Sequence, residues 1–127
     1  MPAIFAASES TVQVDGQNVD GVRSIDYRFR QARENVYALG TAERIGMVSG
    51  AQTVEGVLRV ASTSQALNQL TGDKAFQVIA MLKHGDAKMT VVFDECFLME
   101  KTFEIAAGGH GEAAYTFTAT RVREEVG

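Results

Sequence analysis

Val22-Arg23-Ser24-Ile25-Asp26-Tyr27-Arg28-Phe29-Arg30 alternates with a period of two. Ile25, Tyr27 and Phe29 fall on one face, while Ser24, Asp26, Arg28 and Arg30 fall on the other. Successive side chains of an extended chain point to opposite faces, so this is the pattern of a strand with one buried and one wet face. Upstream, Val12 and Val14 alternate with polar residues, and Asp15-Gly16 and Asp20-Gly21 read as tight turns. Downstream lies the charged stretch Gln31-Ala32-Arg33-Glu34-Asn35, predicted to be a connection. Val36-Tyr37-Ala38-Leu39 follows, as a continuation of the strand or a partner to it.

The rest of the chain keeps this character. Thr41 to Gly50 is either a long loop or the turn of an extended hairpin, and Gln52 to Ala61 is predicted as a strand. Within it, Gly56 marks a bulge or a close backbone approach. Ser62-Thr63-Ser64 offers N-caps for one short helix, Gln65 to Leu70, with Leu67 and Leu70 on one side. Thr71-Gly72 ends it, Gly72 standing where a left-handed C-cap would. Ala75 to Leu82 is an apolar strand closed by Lys83-His84-Gly85-Asp86. Lys88 to Ile105 is long enough for one bent strand or two short ones. Gly108-Gly109-His110-Gly111 is a turn, and Ala114 to Val122 is the last strand, alternating aromatic residues with threonine. With 12 glycines at turn-like intervals and proline only at position 2, the chain reads as mainly β. The expected architecture is a small β-barrel or sandwich with one short flanking helix and an extended hairpin, as a single domain over residues 1–127.

Composition narrows the functions. The 127 residues carry a net charge of -4, and no basic run exceeds a pair, which argues against a dedicated nucleic-acid binder. No apolar stretch reaches the roughly 18 residues that would cross a bilayer, so no membrane anchor is expected. The opening MPAIFAASES lacks the positive flank of a signal peptide. Cys96 is the only cysteine, which forbids an intrachain disulfide and fits a cytosolic folding site. Between Phe93 and Phe97 it reads as a buried structural thiol.

No catalytic, cofactor or metal site emerges. His84 and His110 both stand beside glycines in predicted turns, without further ligands at suitable spacing. Neither Ser49 nor Ser62 to Ser64 stands in a nucleophile elbow. The run Gly108 to Gly111 lacks the lysine and following helix of a phosphate loop. Asp94 and Glu95, adjacent on a strand, point to opposite faces and cannot share a substrate. The feature that asks for a partner is the long two-strand element, whose open edges must pair with something or fold over their own core.

The order of elements carries a resemblance. Val12-x-Val14-Asp15-Gly16 leads to Val22-Arg23-Ser24-Ile25-Asp26-Tyr27, then to Gly46-Met47-Val48-Ser49-Gly50 and Val54-Glu55-Gly56-Val57-Leu58-Arg59-Val60. The helix Ser64 to Leu70, Asp94-Glu95-Cys96-Phe97-Leu98 and Tyr115-Thr116-Phe117-Thr118-Ala119 follow. Over Thr11 to Glu125 this layout resembles the tail tube proteins of contractile phages, tailocins and related injection systems, by a diffuse pattern without a single diagnostic motif. The resemblance implies a structural subunit, not an enzyme. Six-fold rings would join their sheets into one barrel and stack into a tube inside a sheath, bounded by a baseplate and a terminator in a virion tail. DNA or effectors would pass through. Ser24, Asp26, Arg28 and Arg30 would then face the lumen, and Gln31 to Asn35 with Thr41 to Gly50 would make ring-to-ring contacts. A net negative subunit would let DNA slide by like-charge repulsion. A tail terminator or baseplate tube initiator is the alternative from the same machine. A monomeric barrel for a small apolar ligand is the alternative from another class, although Val91 to Met99 reads as filling for a packed interior.

Overall fold

The alternating stretch is the first part of a strand that does not stop where its apolar face stops. The computed structural model describes residues 6–70 and 72–126, so the start of the opening segment, Met1 to Phe5, and Thr71 lie outside the described residues. In chain order the elements are β1 (Ala6–Val14), β2 (Gln17–Asn18), β3 (Val22–Val36), β4 (Gly46–Ala61), α1 (Gln65–Asn68), β5 (Phe76–His84), β6 (Ala87–Glu104), β7 (Glu112–Ala119) and β8 (Arg121–Val126). All pairings are antiparallel, in the order β2-β1-β5-β6-β7-β4-β3, with β8 also on β6.

Strand β6 makes this path a folded layer. Its first half, Ala87 to Cys96, pairs with β5, and Met89 to Asp94 pairs with β8. Its second half, Phe97 to Glu104, pairs with β7. The change of partner occurs at a bulge. Phe76 is opposite Cys96 and Val78 opposite Phe93, so Asp94 and Glu95 together oppose the single residue Gln77. Glu95 takes the unusual φ of +52° that the bend demands. One limb (β2, β1, β5, β8 and early β6) therefore folds over the other (late β6, β7, β4, β3). The enclosed core brings Val12, Val78, Val91 and Phe93 from the first against Val54, Leu58, Tyr115 and Phe117 from the second.

Local patterns explain the individual strands. In β7, Ala113, Tyr115, Phe117 and Ala119 are buried while Ala114, Thr116 and Thr118 alternate outward. Asp15 and Gly16, both at positive φ, make the tight turn between β1 and β2 that their sequence announces. Ser64 caps α1, its hydroxyl accepting from the Leu67 N–H, and Leu67 is the residue the helix buries. The fully buried Tyr115 hydroxyl ties the helix to β7 through Thr63, Asn68 and the Ser64 N–H, at 3.0, 2.8 and 3.2 Å.

Four expectations need correction. Gln31 to Asn35 is not a connection: β3 continues through it to Val36, register-paired with β4 along almost its whole length. Thr41 to Gly50 divides, the first five residues completing the hairpin turn and Gly46 to Gly50 opening β4. The helix stops at Asn68 with Gln69 as its C-cap, so Gly72, although at φ +121°, stands beyond it. Ala114 to Val122 is interrupted at Thr120, where the chain leaves one limb and joins the other as β8. Smaller shifts follow the same lines: Val36 ends β3 while Tyr37 to Leu39 lie in the turn, and Lys83 and His84 finish β5.

Candidate interface surfaces

The residues that could carry chemistry are occupied by structure. Cys96 is fully buried and donates to the Phe93 carbonyl at 3.4 Å, and desolvation pushes its thiol up to about 12. It is an inert packing group. His84 bonds Glu9 at 3.1 Å on the surface, and His110 bonds Arg23 at 3.0 Å. Ser49 accepts from Arg33. Gly108 to Gly111 lies in the connection between β6 and β7, where the Gly109 N–H closes a turn onto the Ala106 carbonyl at 3.0 Å, one position earlier than expected. Among the described residues no group of three His, Cys, Asp or Glu side chains could hold a metal ion, and no helix is long and apolar enough to cross a membrane. Asp94 and Glu95 serve the bend. Asp94 accepts from Arg121 and Arg123 at 2.8 Å each and from Gln77 at 3.1 Å, while Glu95 accepts from the Thr120 hydroxyl at 3.0 Å.

The unusual surface is the β3–β4 hairpin. Its base lies over the core, where Val54, Leu58 and Val60 of β4 are buried and Ile25 of β3 is half-buried. Tyr27 and Phe29, on the same face, are already 37% and 50% exposed, because the strand outruns the opposing limb. From Gly46 to Thr53 nothing of β4 is buried. The overhang is nevertheless ordered by its own bonds. Gln52 reaches Gln31 at 3.0 Å, Arg44 reaches Asn35 at 3.0 Å, and the Ile45 N–H closes onto the Val36 carbonyl at 2.8 Å. At the tip Val36, Tyr37, Leu39, Ile45, Met47 and Val48 stand exposed, Leu39 completely.

Tyr27 also joins the two limbs across their open side. Its ring meets Phe93 edge-on at 5.2 Å, and its hydroxyl donates to Glu124 of β8. That hydrogen bond, with desolvation and the carboxylate charge, raises the phenol to about 12. The neutral phenol is thus favoured by folding, and its contribution is complete below the ordinary tyrosine pKa of about 10 and lost as pH rises through 12. Ultraviolet titration should show a tyrosine step near pH 12 that Tyr27→Phe removes. A titration with no late tyrosine would contradict the contact.

Two free edges bound the four-strand limb. On its far side from β4, β3 meets no strand among the described residues. The second half of β6, from Phe97 to Glu104, likewise pairs only with β7. These edges lie at opposite ends of the same order, β3-β4-β7-β6. The outer face between them is polar. Ser24, Asp26, Arg28 and Arg30 are all exposed there, in register with Arg59, Val57, Glu55 and Thr53 of β4.

No family model and no curated protein matches this sequence. Solved structures do match it in fold. The chain superposes over 98% of its length on 93% of a chain from the sheath–tube complex of an extracellular contractile injection system, PVC, in its extended state, with TM-score 0.71 and 14% identity. It superposes over 100% of its length on 94% of a chain from the tube-terminating cap of the anti-feeding prophage, with TM-score 0.74 and 12% identity. It covers 98% of itself and 99% of a chain in the tail of an empty gene transfer agent particle, refined with C6 symmetry, with TM-score 0.69 and 11% identity. The fold is that of tail tube proteins.

Proposed function

We propose that this chain, which has the tail tube fold, is the repeating subunit of a hollow tube: six copies close into a ring and rings stack into a conduit. The observation that carries this reading is the pair of unpaired edges on opposite sides of one four-strand limb. An exposed edge is a template for another strand. If β3 of one copy pairs with the Phe97 to Glu104 edge of the next, every copy uses both edges of this limb, and the ring leaves neither of them open. Such a head-to-tail contact closes when its rotation divides the circle. The six-fold number rests on the symmetry of the gene transfer agent tail.

The dimensions are self-consistent. Four strands from each of six copies give about 24, and at a spacing of about 4.8 Å they make a circumference of about 115 Å and a backbone diameter of about 37 Å, which strand tilt widens further. The enclosed surface would be the polar face carrying Ser24, Asp26, Arg28 and Arg30, with the apolar core outside it. A water-filled bore of that size passes DNA or an effector protein without a binding site for either. A surrounding sheath, a baseplate and a terminator would be the partners, and the tail of a virion or phage-like particle the location. Termination is the second reading, because the prophage cap superposes as well as the tube does.

Negative-stain electron microscopy of the purified protein at low and high concentration tests this. Hollow tubes or stacked rings of uniform diameter are expected. Single rings that never lengthen would favour the terminator. Monomers at every concentration would remove the tube reading.

A further inference from the structure

The same tripeptide occurs twice in close succession, as Val14-Asp15-Gly16 and Val19-Asp20-Gly21, and the chain holds no other Asp–Gly and no Asn–Gly pair. An Asp–Gly pair carries a reaction of its own. The glycine amide nitrogen can reach Cγ of the aspartate, because glycine has no side chain to hinder the approach and restricts the backbone least. A bond forms between that nitrogen and Cγ, while the amide proton and the carboxyl hydroxyl leave together as water. The product is a cyclic succinimide. Water then opens the ring. Breaking the new bond from nitrogen to Cγ restores aspartate. Breaking the original peptide bond instead leaves isoaspartate, whose main chain runs through Cβ and Cγ and is one methylene longer. Water is the only co-reactant, released in the first step and consumed in the second.

The structure treats the two sites differently. Asp15 is held at both ends by Gln77 of β5. Its N–H donates to the Gln77 carbonyl at 2.9 Å, and its Oδ1 accepts from the Gln77 N–H at 2.9 Å. It also sits at φ +49° in the two-residue turn closed by Val14 opposite Gln17. Swinging Cγ onto the Gly16 nitrogen would break the carboxylate bond and disturb the turn. Asp20 is exposed, at the rim of the groove where β3 begins. Among the described residues neither the Asp20 carboxylate nor the Gly21 N–H has a hydrogen-bond partner. Electrophile and nucleophile are both free there.

We infer that Asp20 is a site of spontaneous isomerisation to isoaspartate, and that Gln77 protects Asp15 from the same reaction. The consequence reaches the start of β3. Val19 is buried and its N–H is anchored on the Val12 carbonyl at 2.9 Å, while the Gly21 carbonyl accepts from the Ala61 N–H at 2.8 Å. A methylene added between these two anchors puts the first rungs of β3, where Val22 stands opposite Val60, out of step with β4. This holds for the single chain and is independent of any assembly.

The test keeps the folded protein for several weeks at mildly acidic pH and body temperature in heavy-oxygen water. Digestion and electron-transfer fragmentation then tell isoaspartate from aspartate at each site. Isoaspartate should accumulate at position 20 about tenfold faster than at position 15, because Asp15 must first open its bonds to Gln77. In concentrated urea the gap should close, since the two sequences are the same through the reacting glycine. Asp20→Glu, whose longer side chain closes a ring far more slowly, should abolish the product at position 20 and leave position 15 as it was. In the isoaspartate form, exchange of the Ala61 amide should quicken about tenfold while that of Gln77 stays unchanged. Equal rates at the two sites in the folded protein, a gap that persists in urea, or no isoaspartate at position 20 would each overturn the assignment. An Ala61 amide that exchanges as before would overturn the effect on β3.

Discussion

A methyl group added at Gly56 should cost the fold about 3 kcal/mol, at the upper end of what overpacking does in a close-packed core. Gly56 is central in β4, flanked in register by Tyr27 on β3 and Phe117 on β7. Its Cβ would lie 2.4 Å from Cζ, 2.8 Å from Cε1 and 3.0 Å from Cε2 of Phe117. The ring cannot swing aside, being 1% exposed and held edge-on by Phe93 at 5.3 Å. The glycine is therefore required for space and not for a left-handed backbone. Urea unfolding checks it: Gly56→Ala should move the midpoint well down, while Gly46→Ala, which meets nothing within 4 Å, should not. Adding Phe117→Leu to Gly56→Ala should recover part of the loss. An unchanged midpoint for Gly56→Ala would show that the aromatic cluster yields freely, against the packing described.

Asp94→Ala is expected to cost about 2 kcal/mol at neutral pH, the scale for hydrogen bonds to a charged group. The carboxylate is shielded, 11% of its side chain being accessible, and it collects three partners. The two arginines are largely in solvent, so they are not stranded when it is removed, which keeps the loss below that of a fully buried ion pair. Bonds from Arg123 and then Arg121 hold the Asp94 carboxyl well below the usual carboxylate range, against the effect of burial. With the folded pKa depressed, the stabilisation is present above the unfolded value of about 3.9 and drains away as pH falls below it. Melting at pH 7, 5 and 3 should show Asp94→Asn less stable than the parent at 7 and 5, with the gap narrowing at 3. A gap constant across that range would mean that the charge of Asp94 does not hold β8.

The sequence was legible where a strand had a core to face. Ile25, Tyr27 and Phe29 announce β3, and Tyr115 and Phe117 among threonines announce β7, because burial on one face forces the alternation. It was opaque where the hairpin leaves the core. Gln31 to Asn35 has no apolar face, since nothing of its own chain covers it there, so its strand pairing with β4 leaves no period to read. The interruption at Thr120 is opaque for another reason. Thr118, Ala119, Thr120 and Arg121 continue the local pattern smoothly, and the break is imposed by Asp94, Glu95 and the Thr120 N–H bonded to the Asp94 carbonyl at 2.9 Å. The long run Lys88 to Ile105 admitted one bent strand or two, and the positive φ of Glu95, invisible in composition, makes it one. The exposed apolar cluster of the hairpin begins at Val36 and Tyr37, which read as strand-forming residues when met without a tertiary context.

The course of β6 through both limbs has a mechanical consequence. Antiparallel hydrogen bonds lie across the strands, so a force along the strands loads a whole ladder in shear, whereas a force across them peels one bond at a time. A pull or thrust entering the chain at the β3–β4 limb reaches the opposite limb through the covalent backbone of β6, and again through Thr120 beside it. Neither limb can slide on the other without stretching that seam. The molecule should therefore be stiff along its strands and weak across them, and a subunit strained past its limit should give way first by peeling β3 from β4.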